Sequence, residues 1–475
     1  MSDHRQKIVV VGGGITGLTA AFTLQKQCAK EKLSVEIVLV EATHRIGGKI
    51  ETLTKENLLI ERGPESFFDI DQVMRTLASD LQIEHKIIQH HEGETYIAVG
   101  NDMHKLPSSF LLGGSSEITG LMTSSLISLA GKARAAGDLF IRKSEQAIDE
   151  PISQFFKRRF GKEVVENLVE PLLAGTFAGD IDHLSMEAMF PQFIELEQRE
   201  RSLIKGFLKN KQGFYNTDST NRALFYETFE GGLNTLIQAL ENALDYVSIK
   251  KGVKVDSIER TSNETVKLYL NNAEVIEADG VIVTTPYNSA KSILRDVIAI
   301  DRAEPMKASS IATIYVAFDK EHITKYKDAL NIFVSRNSNF TITTCTFVSR
   351  KWAQCPDHLE LLRIYIGRVG DESVVELADQ EIVKTILNDL EQMLGIKEQP
   401  QFSYVSRWKE GMPQYTIGHM NRTKLMKEEL AKVFPNVLVC GSSYDGMSMP
   451  SCVKQGRDTA MELLEIVKKT AYNNL

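Results

Sequence analysis

Three glycines near the N-terminus have the spacing of a dinucleotide-binding turn. Gly12, Gly14 and Gly17 form the pattern G-x-G-x-x-G directly after the apolar run of residues 7–11. Residues without a Cβ permit a tight turn, and they let backbone N–H groups approach a pyrophosphate at the positive end of the following helix. Glu41 ends the next apolar run, where a carboxylate binds both ribose hydroxyls and repels the 2′-phosphate of NADP. The pattern therefore predicts a dinucleotide site.

A second glycine-rich segment distinguishes FAD from NAD as the dinucleotide. Residues 41–49, EATHRIGGK, place a glycine pair where another stretch of chain passes close to the diphosphate, and Arg45 adds a cation. Simple NAD-binding domains lack this extension. Residues 61–67, ERGPESF, add a Gly-Pro turn at Gly63 that brings backbone beneath an isoalloxazine ring. The alternative interpretation of this last segment is an ordinary surface loop.

The C-terminal part of the chain repeats this arrangement. Residues 437–441 are an apolar run that ends in a glycine, and Pro450 lies where it favours the first turn of a helix. A helix N-terminus directed at the flavin stabilises the negative charge that develops when the ring accepts a hydride. Residues 253–255 suit a strand that covers an adenine. Each feature alone is typical of ordinary structure, but their order along one chain favours FAD.

The hydrophobic pattern predicts the sheet that positions these motifs. Residues 7–11 and 35–40 are β-branched runs of the kind buried in parallel sheets, and residues 15–28 between them carry apolar positions at helical spacing. This βαβ unit predicts an α/β fold. A helix is expected at residues 380–394, and a hairpin turn at Asn271–Asn272.

Strands that return to the first sheet after a long detour imply a nucleotide domain interrupted by insertions. We predict an α/β fold class, with a discontinuous Rossmann-like FAD-binding domain, an inserted mixed α+β substrate domain and a small helical domain. The predicted divisions are 1–66, 228–287 and 404–475 for FAD binding, 67–90, 184–227 and 288–403 for substrate binding, and 91–183 for the helical insertion.

Composition limits the remaining classes of function. Lys plus Arg number 55 against 63 for Asp plus Glu, which argues against a nucleic-acid binder that relies on bulk positive charge. Five scattered cysteines suit a reducing cytosol, so we predict no metal site and a cytoplasmic protein. No apolar run is long enough to span a bilayer. Residues 106–141 are apolar and Ser/Gly-rich, and predict either a buried helical segment or a membrane-surface or substrate-channel element.

Longer segments resemble one known family. Residues 63–67 (GPESF), 165–185 (VENLVEPLLAGTFAGDIDHLS) and 412–419 (MPQYTIGH) are similar to the bacterial coproporphyrinogen III and protoporphyrinogen oxidases of haem biosynthesis, within the flavin amine oxidase superfamily. The resemblance spans essentially the whole chain. It implies that dioxygen oxidises coproporphyrinogen III, which carries four propionates, in three FAD-dependent cycles that release H2O2. The alternatives are protoporphyrinogen IX as the main substrate, another flavin oxidase or desaturase, and a nucleotide-binding protein without turnover.

The resemblance also implies which residues contact the cofactor and the substrate. No catalytic side chain is expected beyond the flavin, because the cofactor supplies the difficult step. The substrate-cavity candidates are Glu65, Thr176, Tyr365, Arg199 and Arg201. Together with the motifs, it gives the residues expected to contact FAD as Gly12, Gly13, Gly14, Ile15, Thr16, Gly17, Glu41, Ala42, Arg45, Gly48, Lys49, Gly63, Pro64, Glu65, Ser66, Val255, Trp408, Met447, Ser448 and Met449.

An acidic protein that binds carboxylates must gather cations locally, and Arg suits carboxylates best. Asp69 and Asp71 stand where the resemblance leads one to expect basic residues, which weakens the case for a propionate contact there. The cation candidates, whose alternative interpretation is a solvated helix face, are Arg199, Arg201, Lys205, Lys209 and Lys211, with Arg158 and Arg159.

The partners implied are ferrochelatase, through a transient contact, and at most a peripheral membrane surface.

Overall fold

The computed structural model describes residues 5–106, 120, 122–144, 149–209, 226–295, 306–352 and 354–473. The strands are β1 (Gln6–Val11), β2 (Val35–Glu41), β3 (Thr52–Lys55), β4 (Leu58–Glu61), β5 (Ile87–Gln89), β6 (Glu94–Val99), β7 (Asp102–Lys105), β8 (Glu227–Phe229), β9 (Val247–Lys251), β10 (Val255–Arg260), β11 (Val266–Leu270), β12 (Val275–Ala278), β13 (Gly280–Val283), β14 (Ala308–Asp319), β15 (Ala329–Val334), β16 (Ile342–Phe347), β17 (Leu359–Ile366), β18 (Phe402–Pro413) and β19 (Val437–Val439).

The helices lie between these strands. They are α1 (Ile15–Glu31), α2 (Val73–Asp80), α3 (Leu129–Ala136), α4 (Ile152–Phe160), α5 (Lys162–Val164), α6 (Glu170–Phe177), α7 (Met186–Met189), α8 (Pro191–Glu200), α9 (Leu203–Lys209), α10 (Asn234–Asn242), α11 (Tyr287–Ile293), α12 (Val348–Lys351), α13 (Asp379–Leu394), α14 (His419–Val433) and α15 (Met449–Asn473), with a π-helical turn (Val165–Val169) joining α5 to α6.

A five-stranded parallel sheet forms the centre of the first region, in the order β19-β13-β1-β2-β9. Its central strand β1 is buried along Ile8 to Val11, because β2 and β13 flank it and helices cover the sheet. Such double burial explains why these strands are continuous apolar runs. The strands come from the first, middle and last parts of the chain, which confirms the predicted discontinuous Rossmann-like fold.

A seven-stranded mixed sheet forms the second region, in the order β18-β14-β17-β16-β15-β6-β7. Side chains alternate across it, so Ile314 and Ile364 face a core completed by helix α13. Tyr315 and Arg363, each one position away, point to the opposite side. That opposite side, which we call the polar face, is directed towards the first region.

Two predicted domain boundaries differ from the structure. The helical insertion was predicted to begin at residue 91, but β6 and β7 belong to the seven-stranded sheet, where β6 pairs with β15. Strand β18 pairs with β14 of the same sheet, although residues 404–413 were predicted in the FAD-binding domain. Each of these strands pairs with a strand that is distant along the chain, so the local pattern does not reveal the pairing.

Candidate active site

The first glycine turn is built for close backbone contact. The N–H of Gly12 donates to the carbonyl of Val40 at 2.8 Å, which fixes the turn to strand β2. A Cβ on Gly17 would lie 1.9 Å from the carbonyl oxygen of Gly12, so only glycine fits at the start of α1. A Cβ on Gly14, by contrast, meets nothing closer than 3.9 Å. The turn therefore leaves an open groove beside Gly14, in front of the N-terminus of α1.

Glu41 faces this groove from the end of β2. One carboxylate oxygen accepts from the N–H of Gly13 at 2.7 Å, and the other accepts from the N–H of Thr43 at 2.8 Å. The N–H of Val253 donates to the Glu41 carbonyl at 3.0 Å, which brings residues 253–255 alongside. The oxygen that accepts from Gly13 keeps a further acceptor site for a ribose hydroxyl, whereas the Thr43 hydroxyl also lies 2.8 Å from the other oxygen. Ala42 is exposed beside it, and Val255 is buried on β10.

The second glycine segment lies directly on the first. The N–H of Gly47 donates to the carbonyl of Gly13 at 2.7 Å, and a Cβ on Gly48 would lie 3.0 Å from the Cα of Gly14. Arg45 holds this segment from within, because its guanidinium donates to the Gly48 carbonyl at 2.6 Å and pairs with Glu51 at 3.1 Å. Arg45 thus shapes the loop, and its charge is already partly neutralised.

Lys49 makes no ion pair with an acidic side chain among the described residues. Burial lowers the pKa of its ammonium group. The nearby Cys452 thiol opposes this effect, because its electrostatic interaction with the ammonium group raises the pKa. Lys49 lines a cavity together with Tyr415 and His419. A buried cation beside a groove of glycine backbone fits a diphosphate or a reduced flavin, since either supplies the missing negative charge.

The last helix brings a second N-terminus to the same place. Helix α15 begins at Met449, and the Ser448 hydroxyl accepts from the N–H of Ser451 at 3.2 Å. Met447 is half-buried in the turn before it. A Cβ on Gly456 would lie 2.3 Å from the carbonyl oxygen of Thr16, so α15 and α1 touch backbone to backbone. Two positive helix ends and Lys49 around one groove, which we call the nucleotide groove, fit FAD.

Residues 61–66 connect the nucleotide groove to the polar face. A Cβ on Gly63 would lie 1.9 Å from the Lys49 carbonyl oxygen, so this segment rests on the groove wall. The Trp408 indole donates to the Arg62 carbonyl at 2.6 Å. Pro64 and Ser66 are half-buried on either side of Glu65. The structure thus brings the predicted cofactor residues of this segment next to Trp408, which lies on β18.

The polar face carries hydroxyl groups with unused hydrogen-bonding capacity. The Thr313 and Thr344 hydroxyls are buried and have no hydrogen-bond partner among the described residues. Helix α6 lies against this face, because a Cβ on Gly175 would meet the Thr344 hydroxyl oxygen at 2.4 Å. Thr176, the next residue, is exposed, and Tyr365 is half-buried. The buried polar groups without partners mark where a polar ligand gains most from binding.

The cations predicted for the substrate do not gather at the polar face. Arg199 and Arg201 are exposed at the end of α8, where Arg199 lies 3.5 Å from Glu200. Lys205 is exposed on α9, Lys209 pairs with Glu200 at 2.5 Å, and Lys211 lies outside the described residues. The described members of this group lie on a solvated helix face, as the alternative interpretation has it.

Arg158 and Arg159 have a structural role within the helical region. Arg159 is fully buried and lies 3.0 Å from Asp138, while Arg158 lies 2.6 Å from Glu197. Burial and these carboxylates together hold both guanidinium groups in place. Both guanidinium groups are thus engaged by carboxylates inside the helical region, and their assignment as substrate-binding cations stays a prediction.

Sequence reasoning missed two cations that do lie on the polar side. Arg363 on β17 and Lys351 at the end of α12 both pair with Glu65, and both are buried. A signal was present, because Arg363 interrupts the apolar run LELLRIYI of β17. A charge at a strand-core position indicates a partner on another element.

Known proteins resemble this chain over nearly its whole length. The family described as flavin containing amine oxidoreductase matches residues 15–464. The coproporphyrinogen III oxidase of Bacillus subtilis (strain 168) is 39% identical over 98% of this chain and 99% of its own length. The coproporphyrinogen III oxidase of Staphylococcus aureus (strain NCTC 8325 / PS 47) is 34% identical over 97% of this chain and 99% of its own.

A solved structure agrees as well. A protein from Exiguobacterium sp. 255-15, provisionally named a protoporphyrinogen oxidase, superposes with a TM-score of 0.84 at 28% identity, covering 97% of this chain and 99% of its own. These findings confirm the predicted FAD cofactor and the predicted oxidoreductase class. The chain belongs to the flavin containing amine oxidoreductase family, on the branch that includes the bacterial coproporphyrinogen III oxidases.

Proposed function

We propose that this protein is an FAD-dependent coproporphyrinogen III oxidase. The observation that carries the proposal is the match, over nearly the whole chain, to two relatives named for that activity, at 39% and 34% identity. The overall reaction removes six electrons and six hydrogens from the porphyrinogen. Three dioxygen molecules take them up as three H2O2, and coproporphyrin III is the product.

FAD, when bound, supplies the redox chemistry by accepting a hydride from a meso carbon and passing electrons to dioxygen. The protein binds and orients the macrocycle. Thr313, Thr344 and Tyr365 lie on the polar face, and the Thr313 and Thr344 hydroxyls lack a hydrogen-bond partner among the described residues. We assign them to the pyrrole edge of the substrate, since a buried hydroxyl without a partner favours a ligand that completes its hydrogen bonds.

Substrate carboxylates need cations in a protein whose formal charge is −8. We assign this role to Arg336 and Arg368, which flank the start of α6. Arg336 Nε lies 2.8 Å from Glu170 and Arg368 Nη1 lies 3.6 Å from it, while Arg368 Nε lies 3.2 Å from the more exposed Asp371. Both cations therefore gather beside the Glu170 carboxylate at this end of the sheet. Arg368 Nη1 is buried and lacks a hydrogen-bond partner among the described residues. A propionate would complete its coordination.

Side-by-side kinetics test the proposal. Purified holoenzyme receives coproporphyrinogen III or protoporphyrinogen IX in air, and porphyrin fluorescence and H2O2 are followed together. We expect three H2O2 per porphyrin and the larger kcat/KM with coproporphyrinogen III. A larger kcat/KM with protoporphyrinogen IX would establish the alternative substrate. No porphyrin and no H2O2 from a protein with a normal flavin spectrum would overturn both assignments.

Two exposed apolar side chains support the peripheral membrane contact. Leu129 at the start of α3 and Phe140 after the turn that follows this helix are 84% and 81% exposed, and the helix carries Lys132 and Arg134. A basic helix with an apolar face binds an anionic lipid surface. No helix among the described residues meets the length and hydropathy needed to cross a bilayer. Flotation with anionic vesicles should recover the protein, and the double variant L129S/F140S should remain unbound.

The transient contact with ferrochelatase stays a prediction. It rests on the chemistry of the product, a metal-free porphyrin that the next enzyme must accept. Porphyrin transfer from the holoenzyme to ferrochelatase, compared with transfer from free solution, would test it. A transfer rate independent of the concentration of this protein would contradict a direct contact.

A further inference from the structure

A buried cluster of charges lies between the nucleotide groove and the polar face. It consists of Glu65, Lys351 and Arg363, whose side chains are 10%, 6% and 2% exposed. Lys351 Nζ pairs with one carboxylate oxygen of Glu65, and Arg363 Nη1 lies 3.2 Å from the other. We call these three residues the charge cluster.

The cluster and its neighbours fix the segment that rests on the groove wall. Arg363 Nη2 donates to the Gly63 carbonyl, and the Tyr315 hydroxyl donates to the Glu61 carbonyl at 3.1 Å. With the bond from Trp408 to Arg62, three successive carbonyls are held by donors from three strands of the polar face. The position of the charge cluster relative to Lys49 is therefore set by many contacts.

The charge cluster carries an excess of positive charge. Burial raises the pKa of Glu65, but Lys351 and Arg363 outweigh it, so the pKa of this carboxyl is lowered and the group is ionised at neutral pH. Two cations then face one anion. Glu61, on the same segment, has its pKa raised to about 7 by burial, so it only partly offsets the excess near neutral pH.

Aromatic rings make this excess tolerable in the interior. The Arg363 guanidinium carbon lies 4.5 Å from the centroid of the Tyr365 ring, and Lys351 Nζ lies 5.0 Å from Tyr226 and 5.2 Å from Trp352. Ring faces attract cations without neutralising them. A cluster needed only to tie the segment down gains nothing from an extra buried cation, whose desolvation costs several kcal/mol.

We propose that Glu65, Lys351 and Arg363 set the reduction potential of the bound flavin, with their net positive charge raising it. Nearby positive charge favours the reduced, more negative form of the ring. The cluster reaches the cofactor side through Gly63, which rests on Lys49 at the groove wall. The inference rests on the FAD-dependent chemistry proposed above, but it does not depend on which porphyrinogen is the substrate.

Substituting the two partners of one ion pair should shift the flavin reduction potential in opposite directions. A purely structural role would not give opposite shifts, because either substitution breaks the same pair. Glu65→Gln removes the negative charge and should raise the flavin potential, whereas Lys351→Gln removes a positive charge and should lower it. The potential is measured on holoenzyme by equilibration with a reference dye, without any porphyrinogen. FAD content and the melting temperature establish that each variant is folded.

A matched control lies on the same strand. Glu360 is buried on β17 and pairs with Arg350 at 2.8 Å, so Glu360→Gln breaks a similar pair outside the charge cluster. It should leave the potential unchanged. Shifts of Glu65→Gln and Lys351→Gln in the same direction, or no shift in either, would overturn the proposal. If Lys351→Gln does not fold, Glu65→Gln is compared with Glu360→Gln. A higher flavin potential in Glu65→Gln alone supports the proposal, and equal potentials in the two variants refute it.

Discussion

The nucleotide groove and the polar face are made by different means. Backbone makes the groove, where glycines at 12–17 and 47–48 and the ends of α1 and α15 leave room for a ligand. Side chains make the polar face, where hydroxyls and charges from β14, β16 and β17 meet. A backbone site is specified by local sequence, whereas a side-chain site depends on register between distant strands.

The largest effect that we predict distinguishes a glycine that the turn needs in order to fold, Gly17, from a glycine that leaves room for the ligand, Gly14. Gly17→Ala places a Cβ 1.9 Å from the Gly12 carbonyl oxygen and should abolish both folding of the turn and flavin content. A Cβ on Gly14 would meet no atom closer than 3.9 Å, and the φ of Gly14 is −73°, which any residue adopts. The apoprotein of Gly14→Ala should therefore keep the wild-type melting temperature. The variant should nevertheless lose most of its FAD, because the new methyl group occupies the groove.

Flavin absorbance and melting temperatures of both variants measure this difference. Full flavin content in Gly14→Ala would show that the groove beside Gly14 is not the FAD site. Equal loss of melting temperature in both variants would show that Gly14 has a structural role, which the open space around it argues against.

The same distinction explains what could be read from the sequence. The βαβ unit, the helix at residues 380–394 and the hairpin at Asn271–Asn272 were predicted and are present, because each is encoded by contiguous residues. The surroundings of the basic residues at 199–209 could not be read in the same way, because such a run shows its charges but not its exposure. The partnership of Glu65 with Arg363 spans almost three hundred residues, and only the fold brings them together.

A smaller effect is expected at Glu41, whose carboxylate accepts from the N–H of Gly13 in the groove. Glu41→Gln keeps the shape of the side chain but removes its charge, so hydrogen bonds to the ribose hydroxyls weaken. A hydrogen bond to a charged group contributes about 1.5–3 kcal/mol, so FAD should bind about tenfold or more weakly. Fluorescence titration of apoprotein measures the Kd. Glu36→Gln on the same strand, where Glu36 pairs with Lys7 at the surface, should leave it unchanged.

Glu61 lies where the two regions meet and should make stability depend on pH. Burial raises its pKa from 4.5 to about 7, against hydrogen bonds from Leu233 and Thr52 that lower it. The folded protein therefore resists ionisation of this group, and stability falls as the pH rises from about 4.5 to about 7. Glu61→Gln should remove this loss, on the order of 1–3 kcal/mol. Urea unfolding at pH 5 and pH 8 measures it, and an identical pH dependence in wild type and variant would contradict it.

The smallest effect tests whether the polar face is shaped for a ligand or for stability. The Thr344 hydroxyl is buried without a partner among the described residues, whereas the Thr346 hydroxyl, two positions along the same strand, donates to Asn331 at 3.0 Å. Thr346→Val should lose about 1 kcal/mol of unfolding free energy, and Thr344→Val should lose none. The effects on KM should have the opposite order. Thr344→Val should raise KM more than Thr346→Val does, because it removes a hydroxyl that we assign to the substrate. Equal effects of both variants on KM would mean that the unpartnered hydroxyl serves no ligand.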